Sequence, residues 1–308
     1  MNVWVLLIPV RVERNDMYGT ILVPTDGSAG AEAPIAHATE LARTYGAAVH
    51  TLYVVDTGGE PPAVSGDERD DLLAPSERRG REATIRITDR AEEFDLKASR
   101  EVREGTPYGE ILAYADEYDV DLLVMGTHGR TGADRARLGS TTERVLTLAD
   151  VPVLSVRLAD DSDVPASETI SYDRIVIPTD GSDGAIRAAE TALDVAEKYD
   201  AAVHTVYVVD PTPYDLEDAS RSIVGLLTEG GHNATETVAE MARDRDLDAT
   251  TAVRRGDPAD ELLEYVSSVD ADLVAMGTRG RSVGSGRLLG STTARVVRRS
   301  PIPVLTVT

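Results

Sequence analysis

Two stretches of this chain share one spacing and one chemistry. Gly126-Thr127-His128-Gly129-Arg130 runs on to Gly139-Ser140-Thr141-Thr142, and Gly277-Thr278-Arg279-Gly280-Arg281 runs on to Gly290-Ser291-Thr292-Thr293, so both read Gly-x2-Gly-x9-Gly-Ser-Thr. Glycine lets the backbone adopt positive φ or approach a ligand closely, which presents N–H groups to it. Gly-Ser-Thr opening a helix adds hydroxyl donors to free N–H groups and to a dipole that favours an anion. Together these residues suit a phosphate cradle. Between Gly277 and Arg299 there is no Asp or Glu, while Arg279, Arg281, Arg287, Arg295, Arg298 and Arg299 all fall there. The first copy sets Arg130, Arg135, Arg137 and Arg144 against Asp134 and Glu143, so the second copy is expected to attract anions more strongly. Turn glycines, a helix cap and solvated arginines would explain one copy equally well; two copies with one spacing favour binding. The pattern lacks the Gly-Lys-Ser/Thr of a Walker loop and is not a Gly-x-Gly-x-x-Gly fingerprint after a first strand.

The elements that must carry these motifs also come twice. Residues 18–28 and 172–182, offset by 154 positions, are apolar runs ending in Pro24-Thr25-Asp26-Gly27-Ser28 and Pro178-Thr179-Asp180-Gly181-Ser182. They read as first strands buried on both faces, with Ser28 and Ser182 at helix N-caps. Residues 47–56 and 201–210 read as second strands. The stretches 57–80 and 211–231, rich in Gly, Pro and acidic residues and unlike each other, read as surface excursions, with helices following over 82–94 and 234–245. Third strands are expected over 98–103 and 249–254. Then come helices opened by Thr106-Pro107 and Asp257-Pro258, now offset by 151, and fourth strands over 120–125 and 271–276 that run into the glycine motifs. Helices from about 140 and 291 lead to fifth strands over 151–156 and 302–307.

Such alternation makes each half a doubly wound α/β domain with a parallel five-stranded sheet, Rossmann-like in character. With strand order 3-2-1-4-5, the ligand crevice lies at the switch point between strands 1 and 4. Asp26 and Asp180 end the first strands and the glycine motifs end the fourth, so both reach the same crevice. An aspartate placed there is suited to accept hydrogen bonds from a ribose diol or a base amine.

The chain has 308 residues, which fits two such domains, and no cysteine, which excludes disulfides, zinc–thiolate sites and thiol catalysis. Domains are expected over 18–157 and 172–308, with 1–17 as an N-terminal extension and 158–171 as an acidic, proline-containing linker. The apolar run 4–10 is too short and too poorly flanked for a signal peptide. Net charge is −23, and Lys97 and Lys198 are the only lysines among 31 basic residues. Charge on this scale fits a halophilic protein in a high-salt cytoplasm and argues against nucleic acid as a partner. No apolar run reaches the roughly 20 residues that a membrane span needs. His50 and His204 fall mid-strand and read as satisfied core histidines. No catalytic triad or metal-ligand spacing appears, so catalytic residues and a protein-only metal site are not expected.

The Val/Ile-Pro-Thr-Asp-Gly-Ser of strand 1, the Tyr-Val-Val-Asp of strand 2 and the Met-Gly-x2-Gly-x9-Gly-Ser-Thr that begins at Met125 and Met276 resemble the universal stress protein family, in its tandem ATP-binding form. The resemblance implies that Asp26 and Asp180 contact ribose. It implies that Pro24, Thr25 and Val54, with Pro178, Thr179 and Val208, flank adenine. The Gly139-Ser140-Thr141 and Gly290-Ser291-Thr292 segments would hold phosphates, and Gly126, Gly129 and Arg130, with Gly277, Gly280 and Arg281, complete the binding residues expected from the cradle. It further implies domain pairing through the fifth strands, in imitation of a family homodimer, and leaves room for a homodimer of the whole chain. The function so implied is a cytoplasmic stress protein that senses or stores ATP, with magnesium or manganese on the phosphates and at most slow hydrolysis. The alternatives are an interaction module with one or both nucleotide sites vestigial, or a slow ATP-hydrolysing or adenylylating enzyme of a related fold.

Overall fold

Each strand is built to be buried from two sides. In β1 (Thr20–Thr25), Ile21 and Val23 join the core on one face of the sheet while Leu22 joins the core on the other; in β6 (Arg174–Pro178), Ile175 and Ile177 divide from Val176 in the same way. Continuous apolar runs therefore make interior strands, and amphipathic helices cover both faces. The computed structural model describes residues 17–28, 32–58, 66–128, 138–157, 170–211, 221–280 and 288–308. The expected N-terminal extension and linker lie almost wholly outside these described residues.

After β1 come α1 (Glu32–Tyr45), β2 (Ala48–Asp56), α2 (Gly66–Glu92), β3 (Ala98–Gly105), α3 (Pro107–Glu117), β4 (Leu122–Gly126), α4 (Ser140–Leu148) and β5 (Val153–Val156). The second half repeats the series: β6, α5 (Asp183–Tyr199), β7 (Ala202–Val209), α6 (Arg221–Arg243), β8 (Ala249–Arg255), α7 (Pro258–Ser268), β9 (Leu273–Gly277), α8 (Ser291–Arg299) and β10 (Val304–Val307). Each half has the expected order 3-2-1-4-5. The two five-stranded sheets join edge to edge into one ten-stranded sheet, β3-β2-β1-β4-β5-β10-β9-β6-β7-β8. The seam is the antiparallel pair β5–β10, with Leu154 opposite Leu305; each half is parallel within itself, so the strands of one half have their carboxyl ends on the edge of the common sheet opposite to those of the other half.

Both cores run across the seam without a break. Helices α1 and α5 meet there. His37 Nδ1 shares a hydrogen bond of 2.8 Å with the Tyr172 hydroxyl, the Tyr199 hydroxyl donates to Thr44 Oγ1 at 3.1 Å, and the Thr306 hydroxyl donates to the Val153 carbonyl at 3.1 Å.

One expectation about the elements is corrected. Helices α2 and α6 begin at Gly66 and Arg221, inside the stretches read as loops. The glycines that suggested a loop are there because the helix passes very close to the sheet. A Cβ on Gly80 would lie 2.5 Å from Tyr53 Cδ1, and one on Gly231 would lie 2.7 Å from Tyr207 Cδ1. Close approach selected residues that depress helix propensity. At the opening of α7, Asp257 caps with its carboxylate by accepting from Ala259 and Asp260, whereas Thr106 occupies the N-cap of α3 without a side-chain bond.

Candidate functional site

The end of β1 is shaped by its own turn. Gly27 sits at φ +75°, where a side chain would be strained, and its N–H donates to Thr25 Oγ1 at 3.1 Å while the Ser28 N–H donates to Asp26 Oδ1 at 3.0 Å. Gly181, Thr179, Asp180 and Ser182 repeat the turn, with φ +74° and distances of 3.1 and 3.0 Å. The aspartate is thereby fixed at the strand end. Positive φ was expected at the glycines after strand 4, but Gly126, Gly277 and Gly280 do not adopt it; the turn after strand 1 is where it is needed.

Across the switch point, α4 is stitched to the end of β4. The Gly139 N–H donates to the Thr127 carbonyl at 2.9 Å and the Thr142 hydroxyl donates to the Gly126 carbonyl at 2.9 Å. Thr142 is thus a buried structural member of the motif, and so is Thr293, which bonds the Gly277 carbonyl at 2.9 Å. The N-caps are Gly139 and Gly290, which supply no side-chain acceptor for the first N–H groups of α4 and α8. Those N–H groups, followed directly by Ser140-Thr141 or Ser291-Thr292, present positive charge and hydroxyls at a helix start.

In the first half these pieces surround a cavity of about 370 Å³, within the range of small-molecule pockets. Its walls bring together Pro24, Thr25 and Asp26 from β1, Val54 from β2, Met125 and Gly126 from β4, and Gly139, Ser140 and Thr141 at the start of α4. Gly129 and Arg130 lie outside the described residues. The cavity also takes in residues that the sequence reading did not assign to the site, among them Ser28, Tyr53, Asp56, Ser76, Pro107 and Ile111. Asp56 could have been found, because it ends β2 as Asp26 ends β1. Ser76 carried no signal, since it falls in a stretch read as a loop. His128 lines the cavity as well, with Nδ1 hydrogen-bonded to Thr127 Oγ1 at 2.8 Å.

The Universal stress protein family profile matches residues 17–157 and again 171–308. The chain belongs to this family. A universal stress protein of Methanocaldococcus jannaschii is 40% identical over 139 residues, covering 44% of this chain and 82% of the relative. One of Mycolicibacterium smegmatis is 26% identical over 311 residues, covering 94% and 97%. The crystal structure of a universal stress protein from Archaeoglobus fulgidus has the same fold, with a TM-score of 0.69 at 23% identity over 95% of this chain and 98% of that one.

The second half of this universal stress protein also brings its strand-1 aspartate to its glycine motif. A Cβ on Gly280 would lie 2.8 Å from Asp180 Oδ2, and one on Gly277 would lie 3.1 Å from the Gly184 carbonyl. Pro178, Thr179 and Met276 are buried at the strand ends, Val208 is half-buried in β7, and Ser291 and Thr292 begin α8. Arg281 lies outside the described residues. The segment without acids is not free of acids in space. Arg295 pairs with Asp257 at 2.6 Å and Asp260 at 3.4 Å, and Arg299 pairs with Asp260. The hydrogen bond from Arg295 holds the Asp257 carboxyl below its usual range. Two of the six arginines expected to make the second copy basic are therefore paired with carboxylates at the start of α7.

His50 and His204 are satisfied as expected, by the Tyr114 hydroxyl at 3.1 Å and the Tyr265 hydroxyl at 3.2 Å. Burial lowers the pKa of each. Among the described residues, no group of three or more His, Asp or Glu could hold a metal ion, and no helix is long and apolar enough to cross a membrane.

Proposed function

We propose that this universal stress protein binds an adenine nucleotide, ATP foremost, in a crevice of each half, and acts as a cytoplasmic nucleotide-binding sensor in a stress response. The observation that carries the reading is the first-half cavity, where Asp26 and the uncapped start of α4 line one space with Pro24, Val54 and Met125. A carboxylate at the end of the central strand suits a ribose. The helix start suits phosphates, and the apolar strand ends suit a base. Magnesium or manganese would arrive with the phosphates, since among the described residues no group of His, Asp or Glu forms a cage for an ion on its own.

Isothermal titration with ATP and magnesium in concentrated KCl tests the reading, together with mass spectrometry of nucleotide that co-purifies with the native protein. Gly139→Leu and Gly290→Leu, made separately, fill the cradle of one half at a time. Each is expected to remove one binding event. Titrations that show no nucleotide binding, or full binding in both variants, would remove the cradle assignment.

A further inference from the structure

The two crevices differ in the wall supplied by their long helix. The register between α2 and α6 is fixed by three matched contacts. Gly80 and Gly231 lie on Tyr53 and Tyr207; Ala83 and Ala234 stand 3.5 and 3.6 Å from the Cβ positions of Gly27 and Gly181; the Thr84 and Thr235 hydroxyls donate to the carbonyls of Gly80 and Gly231 at 2.9 and 3.1 Å. At this register Ser76 of α2 corresponds to Leu227 of α6, and Arg79 corresponds to Gly230.

Ser76 lines the first-half cavity, and its Oγ lies 3.1 Å from the Tyr53 hydroxyl. Tyr53 belongs to β2, on the far side of β1 from β4. A ligand with phosphates at the start of α4 and a sugar at Asp26 must extend across β1 toward β2, so its base reaches the end of the cavity where Val54, Asp56 and Ser76 stand. The Asp56 carboxylate accepts the Gly58 N–H through Oδ1 at 2.9 Å. A carboxylate can only accept, and a serine hydroxyl can donate and accept, which together match the amine and ring nitrogens of adenine. Arg79 adds a cover by laying its side chain beside the turn, with Cγ 3.2 Å from the Cβ position of Gly27.

We infer that Ser76, backed by the Tyr53 hydroxyl, contacts the base and determines specificity in the first crevice, and that the second crevice, with Leu227 at that place, lacks the contact. The inference rests on the nucleotide reading above. It assigns a ligand contact to α2 and makes the halves unequal in base discrimination.

The test titrates the full chain, in KCl and magnesium, with ATP and with the purine ribonucleoside triphosphate that lacks the 6-amino group. In Ser76→Ala, one class of sites is expected to bind ATP about fivefold more weakly, the size of one hydrogen bond, and to lose part of its preference over the analogue. Ser76→Thr, which keeps the hydroxyl, should restore both, and Tyr53→Phe should weaken ATP in the same direction as Ser76→Ala. Leu227→Ser should raise the preference for ATP in the other class. If ATP binds normally and Ser76→Ala and Tyr53→Phe both leave affinity and preference unchanged, the inference is overturned and the nucleotide reading stands. If the wild-type chain binds neither compound, both are overturned.

Discussion

His37 links the two halves and makes their union sensitive to acid. Its imidazole packs against Tyr172 with ring centroids 5.9 Å apart, shares the 2.8 Å hydrogen bond, and is driven by burial from the ordinary 6.5 to about 4. In the unfolded chain it titrates normally. Between those two values the unfolded state takes up a proton that the folded state refuses, so stability is complete above pH 6.5 and is lost as pH falls toward 4. From pH 7 to pH 5 the loss works out at about 2 kcal/mol at most, because the ring keeps some contact with solvent. His37→Asn places an amide near Nδ1, so Tyr172 keeps a partner and the titration is removed. Urea unfolding at pH 7 and pH 5, with KCl held constant, should give the variant a smaller pH-dependent loss by up to that amount, whatever its stability at pH 7. His50 and His204 contribute in the same direction in both proteins and cancel in the comparison. Parallel pH profiles for the two proteins would refute the argument.

Two further outcomes are expected. Gly80→Ala should destabilise by about 1–3 kcal/mol in chemical denaturation even though alanine is the better helix former, because its methyl would press into the Tyr53 ring; an unchanged midpoint would contradict the close packing of α2. With a net charge of −23, rising KCl should raise the melting temperature by screening self-repulsion, and a flat response in calorimetry would dispose of the halophilic reading.

The sheet could be read from sequence because its signal is local and repeated. Ile21-Leu22-Val23 and Ile175-Val176-Ile177 are apolar at every position, rich in β-branched residues and closed by turn residues, which together ask for a strand buried on both faces. The position of Asp26 opposite the glycine motif followed from strand order alone. The first turns of α2 could not be read, because the glycine that suggested a loop answers to a long-range contact: Gly80 leaves room for a tyrosine 27 positions earlier in the chain. Nor could the pairing of Arg295 with Asp257 and Asp260, since α7 and α8 become neighbours only once the sheet is formed. Counting charges along a chain measures composition, whereas the field at a site depends on what other elements bring to it. Ser76 was hidden for the same reason as α2.

The β5–β10 seam joins two copies that belong to one polypeptide. A dimer of identical chains must carry every substitution on both sides, so its two crevices stay alike. Here the junction can be held while the mouths drift apart, as Ser76 against Leu227 and His128 against Arg279 already show. Selection can therefore tune one mouth without touching the other. The two are also made in a fixed one-to-one ratio that no change in expression level can alter.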